Sequence, residues 1–166
     1  MIILRAKPTF VLPIVVLLLM PLPARAFSTN DLETLRGLSL QSVDLSRQNL
    51  RGVDFSGSDL SNSNLSNSDL RDANLSGAVL THSLLIGAKL MRTNLSGADL
   101  TEADLSEGDF REANFAGATL TNTNFSGADL RGANLDGASL GGIQFSDTTK
   151  LCGAILPDGT TFTCSQ

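Results

Sequence analysis

The 166-residue chain contains no Trp and no Tyr, and it has a single His, His82, and two Cys. These absences remove whole classes of chemistry. No metalloprotease, nucleophile-elbow, phosphate-loop or dinucleotide signature is present, and a lone His among polar residues reads as a solvated side chain. Two Cys without a nearby His supply too few ligands for a zinc site. Positive charge is also scarce: 12 Lys and Arg stand against 17 Asp and Glu, for a net charge of −5. Such a chain repels nucleic acid and anionic membranes. The acidic residues are scattered rather than gathered into a calcium-binding loop. No cofactor, metal or catalytic residue is therefore expected. The only long apolar run covers residues 10–20, well short of the ~20 needed to span a bilayer.

What the chain has instead is a register. From Leu40 to Phe145 every fifth residue is Leu or Phe, through 22 consecutive positions. Steps of five advance ~140° on an α-helix and would smear these residues around its surface. On a straight strand an odd period throws successive side chains to opposite faces. The pattern is consistent only with a chain that turns a corner once per repeat, always pointing the central residue inward.

The flanking positions agree. Two residues before the centre the side chain is usually small, as at Ser58, Ser63, Ala73, Ala98 and Ala133, which leaves room beside an inward Leu. The residue just before the centre is Asp or Asn in 15 of 22 repeats, types whose side chains bond nearby backbone at turns. Two residues after it, Gly fills ten of 22 positions, where a corner needs conformational latitude.

Stretches such as Ala98-Asp99-Leu100-Thr101-Glu102 and Ala133-Asn134-Leu135-Asp136-Gly137 resemble the A(D/N)LXX consensus of pentapeptide-repeat proteins. The resemblance implies an all-β, right-handed quadrilateral β-helix with four repeats per coil. At that rate 22 repeats make about 5.5 coils and a rod of roughly 26 Å, taking ~4.8 Å per coil. Residues 20 apart then stack: Leu40, Leu60, Leu80, Leu100, Leu120 and Leu140 in one column, and Phe125 on Phe145 in another. Bulky inward residues occur only near the ends, at Leu38, Val43, Gln48, Val53 and Ile143, where caps replace a neighbouring coil; Gln48 there needs a polar partner.

Residues 1–26 are expected to be a secretory signal peptide. Arg5 and Lys7 precede the apolar run, and Ala24-Arg25-Ala26 offers a small-x-small cleavage site between Ala26 and Phe27. Cleavage leaves one domain of about 140 residues with no membrane span and a net charge of about −8. Residues 27–37 are expected to form a short helical cap, with Asn30-Asp31-Leu32-Glu33 as its N-terminal signal and Gly37 as its stop. Residues 38–149 are assigned to the β-helix and 150–166 to a tail. In that tail Cys152 and Cys164 lie symmetrically about Asp158 in Pro157-Asp158-Gly159, so a hairpin pairing Leu156 with Thr160 sets the two Cys opposite each other, where a disulfide closing a small loop is expected. Exported members of the family, in cyanobacterial and plant thylakoid lumens, are similar in plan, which implies a cyanobacterial thylakoid lumen or periplasm as the address.

Two surface features stand out. Arg51, Arg71, Arg111 and Arg131 share a column, with Asp69, Asp109 and Asp129 two residues before three of them; Met91 and Lys89 fill the missing rung. This reads as a self-neutralising ladder, with an anion-binding stripe as the alternative. In the same coil, Val79, Leu84 and Lys89 break the run of outward Asp and Asn, and Ile86 and Met91 replace polar residues. Val79, Leu84, Ile86 and Met91 are accordingly a candidate partner patch. The expected function is a non-enzymatic scaffold or protein–protein interaction module, working as a monomer or weak end-to-end dimer with an unidentified protein partner and no nucleic acid. The alternative is mimicry of DNA, since some family members bind DNA gyrase; an export signal and interleaved Arg count against it.

Overall fold

The computed structural model describes residues 35–164. The expected signal peptide, the expected Ala26–Phe27 cleavage site and most of the expected helical cap lie outside these residues.

A coil that closes after four sides must bring residue n beside residue n+20, and the backbone does so. Parallel bridges join Ser39 to Asp59, Asp44 to Asn64, Asn49 to Asp69 and Asp54 to Asn74, and the same step continues to Asn124 and Gln144. Each side is one short bridge, and each corner is a turn whose third residue has φ near +60°. At a typical corner the Ser58 N–H donates to the Phe55 carbonyl at 3.0 Å. A positive φ there is the requirement of a type II turn.

The residue before the centre closes its own corner. Asp44 Oδ1 accepts the Ser46 N–H at 3.0 Å, Asn94 Oδ1 the Ser96 N–H at 3.1 Å, and Asp104 Oδ1 the Ser106 N–H at 3.0 Å. This is the physical source of the Asp and Asn preference. On one side the same residues also bond along the rod: the Nδ2 groups of Asn74, Asn94, Asn114 and Asn134 donate in turn to Asp54, Asn74, Asn94 and Asn114 at 3.1–3.3 Å.

Inside, the central residues form four stacked columns. Leu40, Leu60, Leu80, Leu100 and Leu120 are fully buried, while Leu140 is only partly covered at the end of its column. Phe110, Phe115 and Phe125 pack with ring centroids 5.6–5.8 Å apart, and Phe145 stacks on Phe125 at 6.0 Å. Gly108 makes this cluster possible, because a β-carbon there would lie 2.3 Å from Phe110 Cε2. Inward hydroxyls are satisfied by corner carbonyls: Ser58 Oγ donates to Leu35 at 2.6 Å and Thr93 Oγ1 to Leu70 at 2.7 Å. Gln48 finds its partner in the Ser46 carbonyl at 3.3 Å.

Both ends depart from the expected boundaries. Leu35 is buried in the central position one repeat before Leu40, and the Gly37 N–H bonds the Ser56 carbonyl as later corners do. Gly37 thus belongs to a corner of the coil. At the other end the ladder runs past residue 149, but with a step of 21: Asp129 bridges Lys150, and Asn134 bridges Ile155. Ser and Thr hydroxyls absorb the extra residue. The Gly127 N–H donates to Ser146 Oγ at 2.9 Å, and Thr149 Oγ1 donates to the Phe125 carbonyl at 3.0 Å. Leu151 and Leu156 follow as central residues. The chain then reverses, with the Leu156 N–H donating to Thr160 at 2.7 Å and Ile155 pairing antiparallel with Thr161. Cys152 and Cys164 are disulfide-bonded, with Cα atoms 5.4 Å apart.

Candidate functional site

Residues 79–92, which make three sides of one coil, interrupt the polar surface. Val79 stands in the outward position of the first side, bridged to Asp59 and Asp99; Leu84 holds the same position on the second side, bridged to Asn64 and Asp104. They are 37% and 42% exposed, because the outward position has no inner layer to enter. Between them lies the corner at His82, whose Nδ1 is 3.2 Å from the Glu102 carboxylate on the next coil. Ile86 opens the turn after Leu84 and is half-buried, in a column with Ser66 and Ser106. Met91, also half-buried, lies beyond Lys89 on the third side. The fold therefore places Val79 and Leu84 on two adjoining sides, with Ile86 and Met91 opening the two turns that follow Leu84 and Lys89.

The third side is electrostatically closed on itself. Arg71 Nε donates to Asp69 at 2.7 Å, Arg111 Nε to Asp109 at 2.8 Å and Arg131 Nε to Asp129 at 2.9 Å, each with a second bond from Nη2. These paired bonds, from the Arg two residues on in each case, hold the Asp69, Asp109 and Asp129 carboxyls below the ordinary carboxylate range. Arg51, preceded by Asn49, turns instead to Asp72 at 2.9 Å, and Arg92 reaches the same carboxylate at 2.7 Å. Asp72 thus ties three successive coils, and the Arg92 bond pulls its carboxyl down as well. A ladder with every guanidinium engaged offers little to an incoming anion.

Glu102, Glu107 and Glu112 match no motif; what distinguishes them is their position. They occupy three successive corners at φ +59°, where Gly is the unstrained choice. A β-carbon in that conformation costs about 1–2 kcal/mol. Among the described residues, no group of three or more His, Cys, Asp and Glu is arranged to hold a metal ion, and no helix is long and apolar enough to cross a membrane.

The pentapeptide-repeat family model matches residues 34–67, 68–107 and 108–147, with eight copies. No curated protein matches the chain. Among solved structures, a pentapeptide-repeat protein of the Arabidopsis thaliana thylakoid lumen is 33% identical, covering 79% of this chain and 71% of that one, with a TM-score of 0.36. Rfr23, a pentapeptide-repeat protein from the cyanobacterium Cyanothece 51142, is 31% identical over 74% of this chain and 97% of that one, with a TM-score of 0.30. QnrB1, a plasmid-mediated fluoroquinolone resistance protein, is 23% identical over 72% and 68%, with a TM-score of 0.32. At these TM-scores none of the structural likenesses carries an argument about function. The family match covers more than half of the chain, in register with the 20-residue coil, and the chain belongs to the pentapeptide-repeat family.

Proposed function

We propose that this protein is an exported, non-enzymatic interaction module: a stiff rod that docks a protein partner on the surface around Val79, Leu84 and Ile86. One observation carries the reading. Val79 and Leu84 are exposed on adjoining sides of one coil in the middle of the rod, at positions where most repeats place Asp or Asn. The other large exposed apolar side chains among the described residues, Phe145 and Phe162, lie towards the C-terminal end. Contiguous exposed apolar surface is a common mark of partner sites. Export to a thylakoid lumen or periplasm is supported by the leader-like sequence and by the Cys152–Cys164 disulfide, a bond that persists in oxidising compartments.

A photo-crosslinker at position 84 is expected to trap a protein partner in the native cell. The Leu84→Asp/Ile86→Lys variant is expected to lose that partner in a pull-down at unchanged thermal stability. Retention of the same partner by the variant would discard the docking surface. Cell fractionation and N-terminal sequencing test export, with Phe27 the expected first residue. DNA mimicry is disfavoured by the guanidinium–carboxylate pairs on the third side, which break a continuous negative stripe. A supercoiling assay with DNA gyrase separates the two readings, since clear inhibition would favour mimicry.

A further inference from the structure

We infer that the partner segment docking on this surface is basic and amphipathic, with Lys or Arg flanking apolar side chains; this rests on the docking reading above. The argument is an asymmetry of charge between the sides of the rod. The first and second sides, with the corners next to them, are built in four successive coils from residues 59–67, 79–87, 99–107 and 119–127. Those four stretches contain Asp59, Asp99, Glu102, Asp104 and Glu107, and not one Lys or Arg. The guanidinium groups of the same coils sit on the other sides, each engaged with a carboxylate there.

The five carboxylates surround the apolar pair. Val79 has Asp59 on one neighbouring coil and Asp99 on the other, each a strand spacing of ~4.8 Å away. Leu84 is bridged to Asp104, and Glu102 and Glu107 occupy the two corners flanking that Asp. Their partners do not cancel the charge. Asp99 accepts from Thr101 Oγ1 at 2.6 Å and Asp104 from Asn124 Nδ2 at 3.1 Å, both neutral donors. His82, beside Glu102, is the one side chain on these stretches that can carry positive charge. The occupant must therefore cover two aliphatic side chains and bring its own cations to their rim. Nucleic acid and anionic membranes have the wrong sign, and a purely apolar segment would desolvate the carboxylates without replacing their partners.

The test measures binding of synthetic peptides to the chain from Phe27 onward by fluorescence anisotropy, at about 50 mM and about 300 mM salt. The probes are a Lys/Leu peptide, a Glu/Leu peptide and a Lys/Ser peptide of equal length. The Lys/Leu peptide is expected to bind about tenfold more tightly than either control. Glu102→Gln/Glu107→Gln is expected to weaken it about fivefold at low salt and to flatten its salt dependence. Val79→Asn/Leu84→Asn, which installs a residue type common at equivalent positions, is expected to weaken it about tenfold at both salt concentrations with an unchanged melting curve. Equal binding of the Glu/Leu peptide, binding indifferent to both variants, or no binding of the Lys/Leu peptide would overturn the inference. Crosslinking at position 84 separates the two levels. A trapped partner whose contacting segment is acidic or uncharged defeats the charge argument alone, whereas no trapped protein at all defeats the docking reading beneath it.

Discussion

Asn114 Nδ2 donates to Asn94 Oδ1 across 3.3 Å, joining two corners that lie 20 residues apart in the chain. The same Oδ1 accepts the Ser96 N–H at 3.1 Å, while Asn94 Nδ2 donates onward to Asn74 at 3.3 Å. One side chain thus closes a turn and ties three coils. Asn94→Ala is expected to destabilise the rod by about 1–2 kcal/mol. Asn94→Asp keeps the turn acceptor and should fall between Ala and wild type. Urea denaturation of the three proteins gives the order, and an Ala variant as stable as wild type would refute the ladder's role.

Gly108 is a packing residue. Gly108→Ala would set a β-carbon 2.3 Å from Phe110 Cε2, and overpacking of this kind costs about 1–3 kcal/mol. Gly77→Ala meets no atom within 4 Å and should cost about 1 kcal/mol through its φ of +62° alone. The pair Gly108→Ala/Phe110→Leu is expected to recover most of the loss, whereas Gly77→Ala/Phe110→Leu should recover none.

Acid should loosen the rod through the third side. Asp69, Asp109 and Asp129 are held below their ordinary values chiefly by bonds from Arg71, Arg111 and Arg131. A depressed carboxylate contributes stability that is fully present above its unfolded value, about 3.9, and is lost as pH falls through the lower folded value. Tm is therefore expected to be flat around neutrality with respect to these groups and to drop below about pH 4. Arg111→Gln should shrink that drop, and an equal drop in the variant would remove this pair as its source.

Much of this was legible in the chain itself, because one repeat encodes one corner. The five-residue period demands an inward residue per side, and Leu80 over Leu100 and Phe125 over Phe145 follow from it. The Cys152–Cys164 pairing was countable from the Pro157-Asp158-Gly159 turn. Other features were hidden because a single residue type serves two purposes. Gly37 suits a helix end as well as a solenoid corner. The extra residue between Phe145 and Leu151 is masked because hydroxyls of Ser146 and Thr149 replace backbone groups in the bonding. Arg51 reaches to Asp72 because its own repeat supplies Asn49, which lacks a charge.

The disulfide holds the last strand against the end of the ladder. Cys152→Ser/Cys164→Ser is expected to cost up to about 3 kcal/mol. Hydrogen exchange should localise the effect: the Gly153 and Phe162 amides, bonded to Phe162 and Ala154 carbonyls, should lose protection. The Leu90 amide in the middle of the rod should not. Uniform loss along the whole chain would mean that the tail is part of a single cooperative unit.

Because each coil touches only the coils above and below it, length in this molecule comes in quanta of 20 residues. Excising or duplicating one complete quantum keeps every surviving backbone bridge in register, provided the cut falls before the irregular step at Ser146 and spares Asp72, which bonds Arg51 and Arg92 on the coils either side. The span between the two ends can thus be reset by gene duplication without redesigning either end, whereas a change of one to four residues needs a compensating irregularity, like the one built from Ser146 and Thr149, to keep the downstream sides in place.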